Sequence, residues 1–239
     1  MKKLKLIFLG FIISCSALLI FSCNNSGVSP TNYSRVQVVN TLAGSTPFYF
    51  LLNTQRKYTS TITFPAASGY VSVTPATYFV RFQLATTSTL LNTDTTIRAN
   101  SYITLKLDSS YSVFITGSTS NYTLLTTLDD LSSPSAGKAK IRFINTSTNS
   151  GGVDVTINGT KAYTNIVYKG VGSFIEVPTG VYEFRANKTN STSTLATLSD
   201  QTLANGKVYT VYAAGQVGST ASNAAFGLNL ITNLLPATK

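Results

Sequence analysis

Four segments of this 239-residue chain occur twice, in the same order. RVQVVN ending at Asn40 matches KIRFIN ending at Asn145, and FYFLLN matches VDVTIN at the same offset of 105. GYVSVTPATYFVRF follows the plan of SFIEVPTGVYEFRA, and YSVFITG matches YTVYAAG at an offset of 98. The first copy therefore carries about seven extra residues, most simply within RANSYITLKLDSS. Ordered repeats indicate a duplicated structural unit, so the chain is expected to fold as two copies of one architecture.

The Ser/Pro/Gly segment 132–137 predicts a linker between units 34–131 and 138–235. Thr, Val, Ile, Tyr and Phe are abundant, whereas Glu and Met are sparse, which favours strands. GVYEFRA alternates apolar and polar residues, as a half-buried strand does, and turn signals such as PTG and NG separate the runs. We predict an all-β chain with two tandem immunoglobulin-like or prealbumin-like β-sandwich domains.

The first 22 residues have the pattern of a bacterial signal peptide. MKKLK is basic, and the apolar run Leu6 to Ser22 is short for a membrane-spanning helix. IFSC resembles a lipobox, which implies cleavage before Cys23 and diacylation of that cysteine. Residues 23–33 are polar and turn-rich, as expected for a flexible tether. This predicts a lipoprotein held at a membrane by its N-terminal lipid.

Two alternatives to this processing remain open. IISC offers a rival cysteine at Cys15, although cleavage there would leave an apolar SALLIF at the new terminus. An uncleaved anchor is the other alternative. These two cysteines are the only ones in the chain, so cleavage before Cys23 leaves no further thiol for a disulfide, a nucleophile or a metal site.

The second unit carries a recognisable set of segments, namely GKAKIRFIN, VDVTINGT, VPTGVYEFRA and LANGKVYTVYAAG. Together they resemble domain-of-unknown-function family 4397, whose members are typically β-sandwich modules on secreted proteins and lipoproteins, often in tandem. The first unit lacks the equivalents of Asp154, Gly159 and Gly206. The resemblance implies a fold and a location like those of Bacteroidetes lipoproteins, and it brings no catalytic residues.

Catalytic chemistry has few side chains available to it. The chain contains no histidine, which excludes Ser-His-Asp and Cys-His arrangements and imidazole zinc sites. We predict no cofactor and no metal site, because the acids do not cluster in a short loop. The eight acids are Asp94, Asp108, Asp129, Asp130, Asp154, Asp200, Glu176 and Glu183. We expect Asp129 and Asp130 to be exposed in a turn before the linker.

Several residues recur or suggest binding. Asp154 is expected on an exposed strand face, paired with a nearby Lys or Arg, or else acting as a ligand. Arg81 and Arg185 occupy equivalent positions and are expected to pair with an acid such as Glu183, to cover the sheet, or to bind an anion. The repeated tyrosines are expected to pack in the core or at an edge, or to form a sugar platform; they are Tyr78, Tyr182, Tyr111 and Tyr209.

The segment DTT at 94–96 resembles the O-glycosylation pattern of Bacteroidetes and makes Thr95 a candidate acceptor. The pattern is only three residues long in a Thr-rich chain, so a chance match is the alternative.

Three functions remain after these observations. The first is a non-enzymatic, lipid-anchored cell-envelope module, structural or binding, that contacts protein or glycan. The second is a carboxylate-based carbohydrate-active enzyme. The third is an adhesin or polyanion binder, because a chain beginning at Cys23 keeps +7 of the full chain's +10. The cations are scattered, so nucleic acid is not a predicted partner. No acidic cluster follows Cys23, which favours a periplasm-facing position at the outer membrane over the cell surface.

Overall fold

The computed structural model describes residues 32–85 and 96–233, and its regular secondary structure is entirely β. Its strands are β1 (Ser34–Asn40), β2 (Phe48–Leu52), β3 (Gln55–Arg56), β4 (Val71–Val73), β5 (Ala76–Leu84), β6 (Thr96–Leu105), β7 (Ser110–Ser118), β8 (Asn121–Leu128), β9 (Lys138–Asn145), β10 (Val153–Ile157), β11 (Thr160–Ile166), β12 (Ile175–Pro178), β13 (Gly180–Lys188), β14 (Thr194–Leu203), β15 (Val208–Ala214) and β16 (Gly227–Thr232). The prediction of an all-β chain is confirmed.

The strands form four sheets of four, two in each copy. In the first copy, inner sheet 1 has the order β4-β1-β7-β8 and outer sheet 1 the order β3-β2-β5-β6. In the second copy, inner sheet 2 is β12-β9-β15-β16 and outer sheet 2 is β11-β10-β13-β14. Each strand of the first copy thus has a counterpart eight strands later. The central pairs β1–β7 and β9–β15 are parallel, and the other pairs are antiparallel.

Each copy is a β-sandwich with its own apolar core. In the first, Val36 and Val38 of β1 meet Phe50 of β2 and Phe82 of β5 across the sandwich. In the second, the corresponding cluster includes Ile141, Phe143, Val155 and Phe184. These residues alternate along their strands, as the two-residue period of a strand requires. The predicted tandem β-sandwiches are confirmed.

The two sandwiches also pack against each other through their inner sheets. Val39 and Phe114 of inner sheet 1 form one buried cluster with Ile144, Tyr212 and Ile231 of inner sheet 2. The rings of Phe114 and Tyr212 meet edge to face, with centroids 5.8 Å apart. The result is a four-layer stack in the order outer, inner, inner, outer. The linker between β8 and β9 therefore joins two units that share a core.

This packing explains why the central strands of the inner sheets lack an exposed face. The central strands β7 and β15 are buried at nearly every residue, because one face lines their own sandwich and the other faces the opposite copy. Strands buried on both faces need not alternate apolar residues with charged ones. YSVFIT and YTVYAA accordingly contain no charged residue, and their polar residues Ser112, Thr116 and Thr210 are buried.

The recurring glycines that end these runs are required by a close approach of the backbone. Gly117 has a φ of 110°, and a Cβ placed on it would lie 2.4 Å from the carbonyl oxygen of Asn121. Gly215 has a φ of 88°, and its Cβ would lie 2.1 Å from the carbonyl oxygen of Ala225. Positive φ values and these short distances exclude other residues without rearrangement.

We predict that the four layers unfold as one unit. Phe114→Ala should lower the free energy of unfolding by about 3–5 kcal/mol, because it leaves a cavity between the inner sheets. Hydrogen exchange, measured by mass spectrometry on the full chain in urea, should accelerate in both copies together. Tyr102→Ala is the matched control, since that ring is 71% exposed. Faster exchange confined to the first copy would show that the copies unfold independently.

Candidate functional site

A buried ion pair joins the two copies. Arg142, on β9, donates from Nη2 to Oδ1 of Asp129, which follows β8; their side chains are 2% and 0% exposed. Asp129 also accepts hydrogen bonds from the hydroxyls of Tyr70 (2.6 Å), Ser112 (2.7 Å) and Thr127 (3.1 Å). The expectation that Asp129 is exposed is wrong, because the chain leaves β8 between the inner sheets rather than into solvent. Asp130, the next residue, is exposed as expected.

The ion pair is part of an arrangement that nearly repeats between the copies. Equivalent hydrogen-bonded chains run across each inner sheet: Gln37, Ser112 and Asp129 in the first, and Arg142, Thr210 and Asn233 in the second. Tyr70 connects them, donating to Asp129 and accepting from Asn233 at 3.0 Å. Burial, and then the Asp129 carboxylate, raise the pKa of Tyr70, so its hydroxyl remains a donor.

A cleft opens beside this network at the junction of the copies. Its volume is about 680 Å³, and its lining includes Arg35, Asp108, Asp130, Arg142 and Phe174. The Phe174 ring lies 4.8 Å from the Arg142 guanidinium carbon. Such a volume falls within the range of small-molecule sites.

Two of the three acids that line the cleft, Asp129 and Asp130, are paired with cations. Asp129 is held by Arg142, and Asp130 lies 2.9 Å from Nζ of Lys140. Hydrogen bonds from Ser132, and next from Lys140, lower the pKa of Asp130 to about 2. A carboxylic acid that protonates a glycosidic oxygen needs the opposite, a raised pKa.

Other acids are likewise paired with cations. Asp154 accepts from Lys161 Nζ at 2.7 Å, Glu183 from Arg185 Nε at 2.6 Å, and Glu176 lies 3.4 Å from Lys138. Lys161 is the main cause that lowers the pKa of Asp154. Arg185 does the same for Glu183, and for Glu176 the largest cause is a hydrogen bond from the Ser135 backbone. The predicted ion pairing of Asp154 and of Arg185 is confirmed, although Asp154 is only 3% exposed rather than on an open face.

The recurring tyrosines hold corners of the sandwiches together. Tyr78 and Tyr182 donate to the carbonyl oxygens four residues before them, each at 2.7 Å. Tyr111 and Tyr209 are buried, and each accepts a hydrogen bond from the backbone nitrogen five residues earlier. Their role in packing is confirmed, and they do not form a sugar platform.

The sides of the two outer sheets that point away from the sandwich cores differ at equivalent positions. Strand register aligns three aromatic residues of outer sheet 1 with three acids of outer sheet 2. The pairs are Tyr49 with Asp154, Phe79 with Glu183, and Tyr102 with Asp200. The cations are kept, since Arg56 aligns with Lys161 and Arg81 with Arg185. One face is therefore charge-paired, whereas the other combines aromatic rings with arginines.

Outer sheet 1 presents this aromatic and basic surface without any acid in its strands. The Phe79 and Tyr102 rings are 5.1 Å apart, and the Arg56 guanidinium carbon lies 3.8 Å above the Tyr49 ring. Nε of Arg81 is buried and has no hydrogen-bond partner in the described part of the chain. The sequence analysis singled out Arg81 but not Tyr49, Phe79 and Tyr102. The lack of Asp and Glu in these four strands is the sequence feature that could have indicated this surface.

The remaining expected residues include some that the structure does not describe. Cys23, Cys15, Asp94 and Thr95 lie outside the described residues. Within residues 32–85 and 96–233 there is no group of three His, Cys, Asp or Glu side chains suited to a metal ion. The same ranges contain no helix that is long and apolar enough to span a membrane.

The two-copy architecture agrees with the protein family that the sequence matches. The chain is a tandem β-sandwich protein, and the family model for the domain of unknown function DUF4397 matches residues 34–156 and 145–238. The chain belongs to this family. A comparison with curated proteins found no match.

Two solved structures are similar to it at low identity. The first is CBMbc (family CBM26) from Eubacterium rectale Amy13K in complex with maltoheptaose, at 11% identity and a TM-score of 0.24, covering 86% of this chain and 98% of that chain. The second is a putative cell adhesion protein from Bacteroides eggerthii DSM 20697, at 10% identity and a TM-score of 0.23, covering 85% of this chain and 96% of that chain.

The buried pair should show strong coupling between its partners. Arg142→Gln is expected to cost about 3–5 kcal/mol of unfolding free energy, because it leaves the Asp129 charge buried and unpaired. The equivalents of Asp129 and Arg142 in the other copy are Asn233 and Gln37, so the double variant D129N/R142Q replaces each charged residue by the corresponding amide. In urea titrations it should lose less unfolding free energy than the two single variants lose in sum. Additive losses would contradict the importance of the ion pair.

Asp154 should contribute stability that depends on pH. Its pKa is lower in the folded chain, so the contribution is present above the ordinary Asp pKa of about 4 and is lost as the pH falls below it. The stability difference between the wild type and Asp154→Asn should be constant from pH 5 to 7 and shrink below about pH 4. A difference that stays constant down to pH 2 would contradict this assignment.

Proposed function

We propose that this protein is a lipid-anchored, non-catalytic binding module of the cell envelope that contacts a glycan or protein through an exposed sheet face. Acylation at Cys23 supplies the anchor, at the outer membrane and facing the periplasm or the cell surface. Two or more acyl chains give stable anchoring, at about 0.8 kcal/mol for each buried methylene. Ten residues lie between Cys23 and Ser34, so this segment spans at most about 40 Å.

The observation that carries this proposal is the contrast between the two outer faces. The same architecture occurs twice, and the second copy neutralises its face with Asp154–Lys161 and Glu183–Arg185 pairs. The first copy keeps the cations and has aromatic rings in place of the acids; Tyr102 is 71% exposed, and Tyr49 and Phe79 are half-buried. Aromatic and arginine side chains are enriched among the residues that dominate binding at protein surfaces.

Two further observations support a binding role over a catalytic one. Asp129, Asp130, Asp154, Glu176 and Glu183 are each engaged with a cation. The shared core between inner sheets makes the stack a single body, and a rigid body presents a surface in a fixed orientation at little entropic cost on binding.

The anchor is tested by Cys23→Ala. In cells fed an alkyne-labelled fatty acid, the wild type should incorporate the label and fractionate with membranes, whereas the variant should do neither. Cys15→Ala is the matched control and should be labelled as the wild type is. Persistent labelling of Cys23→Ala would contradict the assignment of the lipid site.

The binding role is tested separately. The full chain in detergent is applied to an array of glycans and to immobilised envelope proteins, with a folded variant of the aromatic face, Phe79→Ser, beside it. Retention that depends on Phe79 supports the proposal, and retention of neither protein on any surface contradicts it.

A further inference from the structure

We infer that the exposed face of outer sheet 1 binds an acidic polysaccharide, one whose sugar units carry carboxylates. This inference rests on the proposed binding function and names its ligand class. The face is defined by six residues of β2, β3, β5 and β6, namely Tyr49, Arg56, Phe79, Arg81, Gln83 and Tyr102.

The aromatic residues provide one place for a sugar ring. Tyr102 is 71% exposed and packs beside Phe79 on the neighbouring strand, with ring centroids 5.1 Å apart. The C–H face of a pyranose ring packs on an exposed ring such as Tyr102 as other apolar surfaces do. Tyr49 lies opposite Gln83, about 13 Å further along β5 than Phe79 at the rise of a strand, and its half-buried ring is covered by Arg56, which it orients.

The arginines lie where carboxylates of a bound chain would meet them. Arg56 is held by the Tyr49 ring and by Oε1 of Gln83, which accepts from Nη2 at 2.7 Å and from Nε at 3.2 Å. Arg81 lies on β5 between Phe79 and Gln83, and its buried Nε has no hydrogen-bond partner among the described residues. Guanidinium groups form charge-assisted hydrogen bonds with carboxylates, so the terminal nitrogens of either arginine could donate to a ligand carboxylate.

The duplicated fold indicates why the ligand is acidic rather than neutral. On outer sheet 2 the equivalent arginine, Arg185, is neutralised by Glu183, and the equivalent of Arg56, Lys161, by Asp154. At these acid positions outer sheet 1 has Phe79 and Tyr49. The strands of outer sheet 1 contain no acid that could pair with these cations, so a negative ligand can pair with them instead. Charge complementarity therefore favours a polyanion, and the rings favour a saccharide over a simple anion.

The test uses polygalacturonate as the acidic probe and dextran as the neutral one. The full chain in detergent should bind polygalacturonate in isothermal titration calorimetry, with affinity that falls as salt rises. Arg81→Gln and Tyr102→Ala should each weaken binding at least tenfold. Phe79→Glu/Tyr102→Asp, which copies the acids of outer sheet 2, should abolish it. Circular dichroism verifies that each variant is folded.

The second copy provides the matched control. Arg185→Gln removes the same charge from the equivalent position and should leave the affinity unchanged. Equal loss in Arg185→Gln and Arg81→Gln would overturn the inference in favour of general charge attraction. Equal binding of dextran, or undiminished binding by the Phe79→Glu/Tyr102→Asp variant, would also overturn it.

Failure here can be told apart from failure of the proposed function. Binding of anionic phospholipid vesicles but not of polygalacturonate would overturn the inference and assign the face to a membrane surface. Retention on an envelope protein through Phe79, without polygalacturonate binding, would overturn the ligand class and leave the binding role standing.

Discussion

The buried contact between Arg142 and Asp129 is the constraint on which the arrangement of the molecule depends. It lies between the two inner sheets, where a lone charge would be strongly unfavourable, so the sheets must meet in the register that joins the pair. Phe114 and Tyr212 fill the neighbouring part of the same interface. Polar and apolar contacts thus specify one docking of the two copies, and they leave the outer sheets as the broad faces open to solvent.

Because the fold is duplicated, the two copies can be compared position by position. Backbone geometry recurs down to single hydrogen bonds: Asn53 and Asn158 accept from the backbone nitrogens of Phe79 and Glu183 at 2.9 and 2.8 Å. Against this constant framework the outer faces have diverged in charge. Since the fold of both copies is the same, the difference between aromatic and acidic residues on these faces is not required by the architecture.

Sequence reasoning succeeded where the deciding interactions are local. The repeats, the strand alternation of β13 and the partner class of Asp154 follow from neighbours in the chain or on an adjacent strand. It failed for Asp129, because the partners that bury this residue include Arg142 in the other copy and Tyr70, 59 residues away. It also missed Phe79 and Tyr102, which come together across two strands and are read singly as ordinary strand residues.

The sequence by itself determined the class of fold and the existence of two copies, since a two-residue period, turn residues and internal similarity are properties of consecutive residues. It also predicts the lipid site, from the pattern around Cys23. Only the tertiary structure decided that the copies share a core, that an acid beside the linker is buried, and that one outer face lacks the neutralising acids of the other. Each of these depends on which distant strands lie side by side, and pairing between distant strands is set by the packing of whole sheets.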